Sequence, residues 1–112
     1  FSLYDPPKLP RPYKEVIFAG SRDNKALNDK VFSDLIKDGK LDDRLHEITC
    51  PSLVIWGRHD RVIDVSCTEV LVRELPDVHI EILEDAGHVP MCEKPEATSA
   101  MQAALVDAQK EE

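Results

Sequence analysis

Two positions in this chain carry side chains that could move a proton together. Asp60 lies in Trp56-Gly57-Arg58-His59-Asp60 and His88 in Glu84-Asp85-Ala86-Gly87-His88, 28 positions apart, and each follows an apolar, strand-like run. A carboxylate that accepts the Nδ1 proton of an imidazole fixes its tautomer and stabilises the imidazolium, so that Nε2 can deprotonate a nucleophile. Acid and base are two thirds of a catalytic triad. The third member has no candidate turn here: no G-x-S-x-G or G-x-C-x-G pattern occurs between Phe1 and Glu112. The residues therefore read as the back end of an enzyme whose nucleophile lies outside this sequence.

Taken singly, each residue has a plainer explanation. An Asp at a strand exit is usually a turn former, and a lone His is more often a satisfied surface or core residue than a base. As a pair, each just after a strand-like run, they could meet at one edge of a sheet. Asp64 competes with Asp60 for the role of acid, but it is better explained as part of the polar start of a helix at Ser66. His59 is expected to be exposed, His46 and His79 have no partner pattern, and Trp56 falls inside an apolar run and is expected in the core.

Cys50, Cys67 and Cys92 are alternative nucleophiles by residue type. Cys50 precedes the strand whose far end carries Asp60, which separates the two by roughly 20 Å or more at about 3.3 Å per residue. Cys67 sits at a helix start without a neighbouring base, and Cys92 follows His88 too closely to occupy a turn of its own. The three lack C-x-x-C or C-x-x-H spacing, which argues against a disulfide framework and a zinc site. Buried free thiols are the expectation.

The elements that would position Asp60 and His88 are legible. Leu53-Val54-Ile55-Trp56 is a continuous apolar run between Pro51 and Gly57, the pattern of a strand buried on both faces of a parallel sheet. Ser66 with Glu69 has the capping-box pattern, and Val70, Leu71 and Leu75 supply a helical face that ends before Pro76. Val78, Ile80 and Ile82 alternate as a second strand. Pro95, then Ala97, Ala100, Met101, Ala104, Leu105 and Ala108, form a terminal amphipathic helix. Strand, helix, strand, helix is a βαβ unit with a right-handed crossover. Reacting groups in such a sheet gather beyond the carboxyl ends of the strands, where Asp60 and His88 both fall. Gly57 is expected to let the chain leave its strand sharply, and Gly87 to permit a tight turn.

The first part of the chain is less regular. Pro6, Pro7, Pro10 and Pro12 predict an extended connector from Asp5 to Tyr13. Val16 to Ala19 is a short apolar run closed by Gly20. Leu27, Val31, Phe32, Leu35 and Ile36 then recur at helical spacing and stop at Gly39, and Leu41, Leu45 and Ile48 predict a second short helix.

Composition bounds the rest. The 112 residues fit one small domain, with 42% hydrophobic and 32% charged content. The net charge of −8 arises entirely after Ile48, where 5 basic residues face 13 acidic ones. Such a chain repels a phosphate backbone, which excludes nucleic acid as a partner. No apolar stretch approaches the roughly 20 residues that span a bilayer, and the opening residues lack the basic and apolar pattern of a signal peptide. Compartment and oligomeric state have no signature here.

The segment Ile48-Thr49-Cys50-Pro51-Ser52-Leu53-Val54-Ile55-Trp56-Gly57-Arg58-His59-Asp60, with Leu83-Glu84-Asp85-Ala86-Gly87-His88 and Glu93-Lys94-Pro95, resembles the C-terminal part of the α/β-hydrolase fold. It is similar in particular to the monoacylglycerol lipase branch. The match covers about half the chain, from Ile48 onward, and its motifs are more specific for the superfamily than for the branch. The resemblance implies the C-terminal portion of an α/β fold, a parallel βαβ unit plus terminal helix preceded by part of a helical cap. Residues 1–40 would end the cap and 41–112 would belong to the core.

It further implies a serine hydrolase cleaving carboxylic esters, acylglycerols among them, with Asp60 and His88 as acid and base. The order of nucleophile, acid and base is the hydrolase order. No metal or organic cofactor is implied. The partner would be a small-molecule ester or lipid, and members of the branch are often membrane-bound. Two alternatives stay open: an epoxide hydrolase or haloalkane dehalogenase with an Asp nucleophile, and a noncatalytic hydrolase-like binding module. A two-stranded core is marginal for independent folding, so a partial domain is expected. The isolated 112-residue polypeptide should then be inactive and show no cooperative melt by circular dichroism; a sharp two-state transition would contradict that.

Overall fold

The computed structural model describes residues 3–8, 10–39 and 41–110. It divides into two compact units, residues 3–6 with 44–110, and Pro7–Asp43.

In the larger unit, strand β1 (Ser52–Gly57) pairs with β2 (Val78–Leu83) in a parallel two-stranded sheet. The register runs from Ser52 opposite Val78 to Gly57 opposite Leu83, so both strands finish at the same level. The ladder continues past both ends through Ser52 N–H to the Asp77 carbonyl and Arg58 N–H to the Leu83 carbonyl, 2.9 Å each. The parallel pairing requires a crossover, supplied by helix α3 (Cys67–Glu74), which packs on β2. Helix α5 (Pro95–Lys110) lies against β1, its Met101, Ala104 and Leu105 facing Leu53. The strand, helix, strand, helix order read from the sequence is the one observed, with one addition: a four-residue helix α4 (Pro90–Glu93) precedes α5.

Some local expectations are corrected. Ser66 does not cap α3 through its side chain; its own backbone is helical, at φ −61° and ψ −19°. The Oδ1 of Asp64 instead accepts the Ser66 N–H at 2.9 Å, so the acidic residue two positions earlier orders the helix start. Strand β1 is half-buried from Ser52 to Trp56 rather than buried on both faces, because among the described residues only one edge is paired and few side chains cover the sheet. Trp56 is likewise half-buried, its Nε1–H donating to the Ile63 carbonyl at 3.2 Å. The three cysteines are exposed thiols, not buried ones.

In the smaller unit, helix α1 (Arg11–Asp23) replaces the last three residues of the expected connector and absorbs the apolar run at Val16. Pro10 at the N-cap keeps an extended φ of −55° and ψ of 149°, and Pro12 falls in the first turn, where no backbone donor is needed. Prolines placed this way start a helix rather than prevent one. Helix α2 (Lys25–Asp38) follows after Asn24 and ends at Gly39, whose N–H bonds the Leu35 carbonyl at 2.8 Å. The expected short helix after it is a 3-10 helix, Asp42–Glu47, of which Arg44–Glu47 belong to the larger unit.

Among the described residues, Gly57, Ala86, Gly87 and Pro90 are buried at or just beyond the carboxyl ends of the strands, and Thr68, Leu75 and Thr98 are buried on the helices and at the end of α3. No glycine among the described residues has positive φ, so Gly57 is not required by conformation. It is required by space. A Cβ at position 57 would lie 2.0 Å from the Gly87 carbonyl oxygen and 2.5 Å from that of Ala86. These are backbone atoms that cannot rotate away. In the full-length protein, Gly57→Ala should lower thermal stability by about 3 kcal/mol or more, beyond ordinary overpacking, and remove activity with it. Unchanged melting and turnover would contradict the close approach.

Candidate active site

Asp60 leaves β1 by a short turn in which its N–H reaches back to the Gly57 carbonyl at 3.2 Å. Its side chain is only 4% exposed. One carboxylate oxygen, Oδ1, accepts two backbone N–H groups, from Val62 at 2.8 Å and Ile63 at 2.9 Å. That arrangement locks the carboxylate and leaves the other oxygen, Oδ2, aimed across the strand ends at His88 Nδ1, 2.9 Å away. Twenty-eight residues of chain are thus closed into one hydrogen bond.

The His88 loop is held from several sides. Ala86 is fully buried, and its carbonyl accepts the His59 N–H at 3.0 Å. The Gly87 N–H donates to Glu93 Oε2 at 2.6 Å. At the outer margin Arg58 pairs with Glu84 through Nη2 at 2.8 Å, joining the two strand exits. That pair raises the Arg58 pKa and lowers the Glu84 pKa. Both side chains face solvent, so the bridge itself adds little stability.

Burial is the largest single influence on Asp60 and pushes its pKa upward. The hydrogen bonds from His88, Ile63 and Val62, with the charge of His88, together outweigh it and hold the carboxyl below the usual aspartate range. At neutral pH Asp60 is therefore ionised and can only accept. It follows that Nδ1 of His88 carries the proton in the Asp60 bond, and that in the neutral ring Nε2 is unprotonated. Nε2 has no hydrogen-bond partner among the described residues, and the ring is about one-third exposed. An ordered imidazole with an open basic nitrogen is equipped to take a proton from a hydroxyl brought to it. A cavity of about 130 Å³ adjoins the pair, walled by Ile55, Trp56, Pro90 and Met91.

The other candidates fall outside this pair. Asp64 serves the start of α3, where hydrogen bonds from Ser66 lower its pKa. His59 is exposed, as expected, and its ring stacks on Tyr4 with centroids 4.6 Å apart. His79 pairs with Glu81 two residues along β2, at 2.7 Å. Sequence reasoning missed Glu93, which appeared only in a motif and whose carboxylate turns back to the His88 loop. No cluster of three metal-ligating side chains occurs among the described residues, and no described helix is long and apolar enough to cross a membrane.

No family model matches the chain. Lipase 3 of Moraxella sp. (strain TA144) is 33% identical over 96 residues, covering 83% of this chain and 30% of that lipase. Mouse monoacylglycerol lipase ABHD6 is 29% identical over 75 residues, 64% of this chain and 22% of that enzyme. The crystal structure of a membrane phospholipase A, described as a bacterial virulence factor, superposes with a TM-score of 0.81 at 36% identity, covering 96% of this chain and 35% of that one. This chain thus spans between a fifth and a third of the length of these curated relatives. With the parallel sheet and the strand-end site, these likenesses define the class: the chain is a member of the α/β-hydrolase superfamily and carries the C-terminal part of that fold. Within the superfamily it resembles the ABHD6 branch of lipases.

Asp60 does two separable jobs, and two substitutions distinguish them. In the full-length protein, Asp60→Asn keeps an oxygen for the Val62 and Ile63 N–H groups but turns an amide toward Nδ1, so the fold should survive. Asp60→Ala orphans both donors and should cost about 1 kcal/mol, since water reaches these exposed residues. Because the folded pKa of Asp60 is depressed, its ionised form contributes stability above the unfolded value of about 3.9, and that contribution is lost as pH falls through the folded value. The stability gap between wild type and Asp60→Asn should be full at neutral pH and narrow below about pH 4. Chemical denaturation as a function of pH measures it; a gap that widens on acidification would contradict the assignment.

Proposed function

We infer that these residues supply the acid and base of a serine hydrolase that cleaves carboxylic esters. The observation carrying this reading is the 2.9 Å bond between a locked, ionised Asp60 and His88, with Nε2 left open. The nucleophilic serine and the oxyanion donors would come from residues outside this sequence, which the greater length of the relatives favours. Residues 1–40 would be the end of a cap region and a connector, and 41–112 the C-terminal part of the hydrolase core.

In this mechanism Nε2 of His88 removes the serine proton as the hydroxyl attacks the ester carbonyl. Asp60 holds the tautomer and stabilises the resulting imidazolium. The imidazolium then protonates the leaving alcohol, and the acyl-enzyme remains. Water, deprotonated by the same nitrogen, releases the acid. Acylglycerols are the substrate class favoured by the lipase relatives, and the apolar wall of Trp56, Pro90 and Met91 beside the imidazole suits an acyl chain.

The full-length protein should label with a fluorophosphonate at a single serine, and His88→Ala should abolish both labelling and ester turnover. Asp60→Asn should reduce kcat on the order of 10⁴-fold, the loss expected when the imidazole takes the wrong tautomer. Full turnover in His88→Ala would overturn the assignment, and labelling at an aspartate by an epoxide substrate would move the protein to a different chemistry on the same fold.

A further inference from the structure

One carboxylate near the site has a task that the acid–base pair does not use. Glu93 ends the short helix α4, five residues after His88, and is half-buried. Its two oxygens have separate partners: Oε2 accepts the N–H of Gly87 at 2.6 Å, and Oε1 accepts the N–H of Tyr4 at 2.5 Å. Gly87 is the residue immediately before the imidazole. Tyr4 belongs to the distant segment at residues 3–6, and its ring stacks on His59, whose own N–H bonds Ala86. Glu93, Tyr4, His59 and the Ala86–Gly87 backbone therefore form a closed ring of contacts around the base of the His88 loop.

The geometry explains why a carboxylate stands there. Gly57 presses on the carbonyl oxygens of Ala86 and Gly87 from the strand side. Nothing in that contact holds the Gly87 N–H. Glu93 takes this donor, and because its helix follows His88 directly, it anchors the loop to its own C-terminal continuation. A bidentate acceptor can bind two N–H donors only if both arrive at fixed places, so the same group registers the Tyr4 segment against the loop. A shift of about 1 Å in the imidazole is enough to cost on the order of 100-fold in rate.

Resting on the triad reading above, we propose that Glu93 is a positioning residue for His88: its carboxylate fixes the peptide that presents the imidazole and couples that placement to the docking of residues 3–6. It touches neither substrate nor the reacting atoms.

The test uses the full-length enzyme with Glu93→Ala, Glu93→Gln and, as the control for the triad itself, His88→Ala. Kinetics on a soluble ester are combined with the proton resonance of the His88 Nδ1–H. Glu93→Ala should lower kcat about 10- to 100-fold with KM within about twofold, and should shift or broaden that resonance. Glu93→Gln retains one acceptor oxygen for the Gly87 N–H but opposes an amide to Tyr4, so it should fall between Ala and wild type and keep the resonance. Should the Ala variant fail to fold, the Gln variant's intermediate kcat and preserved resonance decide alone. Wild-type kcat in Glu93→Ala, a loss confined to KM, or a Gln variant that folds yet is inactive would overturn the proposal. A Glu93 effect of zero beside an inactive His88→Ala would refute positioning and leave the triad standing, whereas an active His88→Ala would refute the triad itself.

Discussion

The site depends on how closely two pieces of backbone can approach at the ends of two parallel strands. Gly57 faces the Gly87 and Ala86 carbonyls at a separation that excludes even a methyl group. Because β1 and β2 finish in register, the residues that leave them start from adjacent points. Three residues beyond Gly57 the chain has turned enough to place a carboxylate, and five beyond Leu83 it places an imidazole. Convergence of Asp60 and His88 is thus a consequence of equal strand ends plus one missing side chain.

Around that approach, backbone donors are spent on the carboxylates rather than left to water. Val62 and Ile63 hold Asp60, and Gly87 and Tyr4 are held by Glu93. Asp60 and Glu93 each bind groups from more than one segment, and each leaves the imidazole ring with fewer ways to move. The net lowering of the Asp60 pKa follows from the same bonds that fix its orientation. Position and protonation state are therefore set together, and they fix which nitrogen of His88 is basic.

Much of this was legible in the sequence because it is local or periodic. The continuous run Leu53–Trp56 and the alternation at Val78, Ile80 and Ile82 gave both strands, and the spacing from Ala97 to Ala108 gave the last helix. Pairing Asp60 with His88 needed only strand ends and their order. What escaped has physical reasons. Helix α1 is hidden because Pro10 and Pro12 read as helix breakers, although an N-cap and a first turn tolerate both. Helix α4 is one turn long, too short to show a period. At the start of α3 the sequence placed Asp64 correctly, but the side-chain cap expected of Ser66 is absent because Ser66 is already helical and Asp64 takes its N–H. Gly57 was recognised, but for backbone freedom; the close approach of another loop has no trace in its neighbours along the chain. Glu93 was missed for the same reason, since its partners are six residues back and 89 residues away.

The half-buried strands and exposed helical faces fit a chain that spans only part of its relatives' length. A crystal structure of the full-length protein with its nucleophile phosphonylated by a fluorophosphonate is the most direct measurement. It should show Asp60 Oδ2 within hydrogen-bond reach of His88 Nδ1, and Nε2 of the same ring within about 3 Å of the modified serine oxygen. A labelled serine served by a different imidazole, with Asp60 and His88 apart, would contradict it.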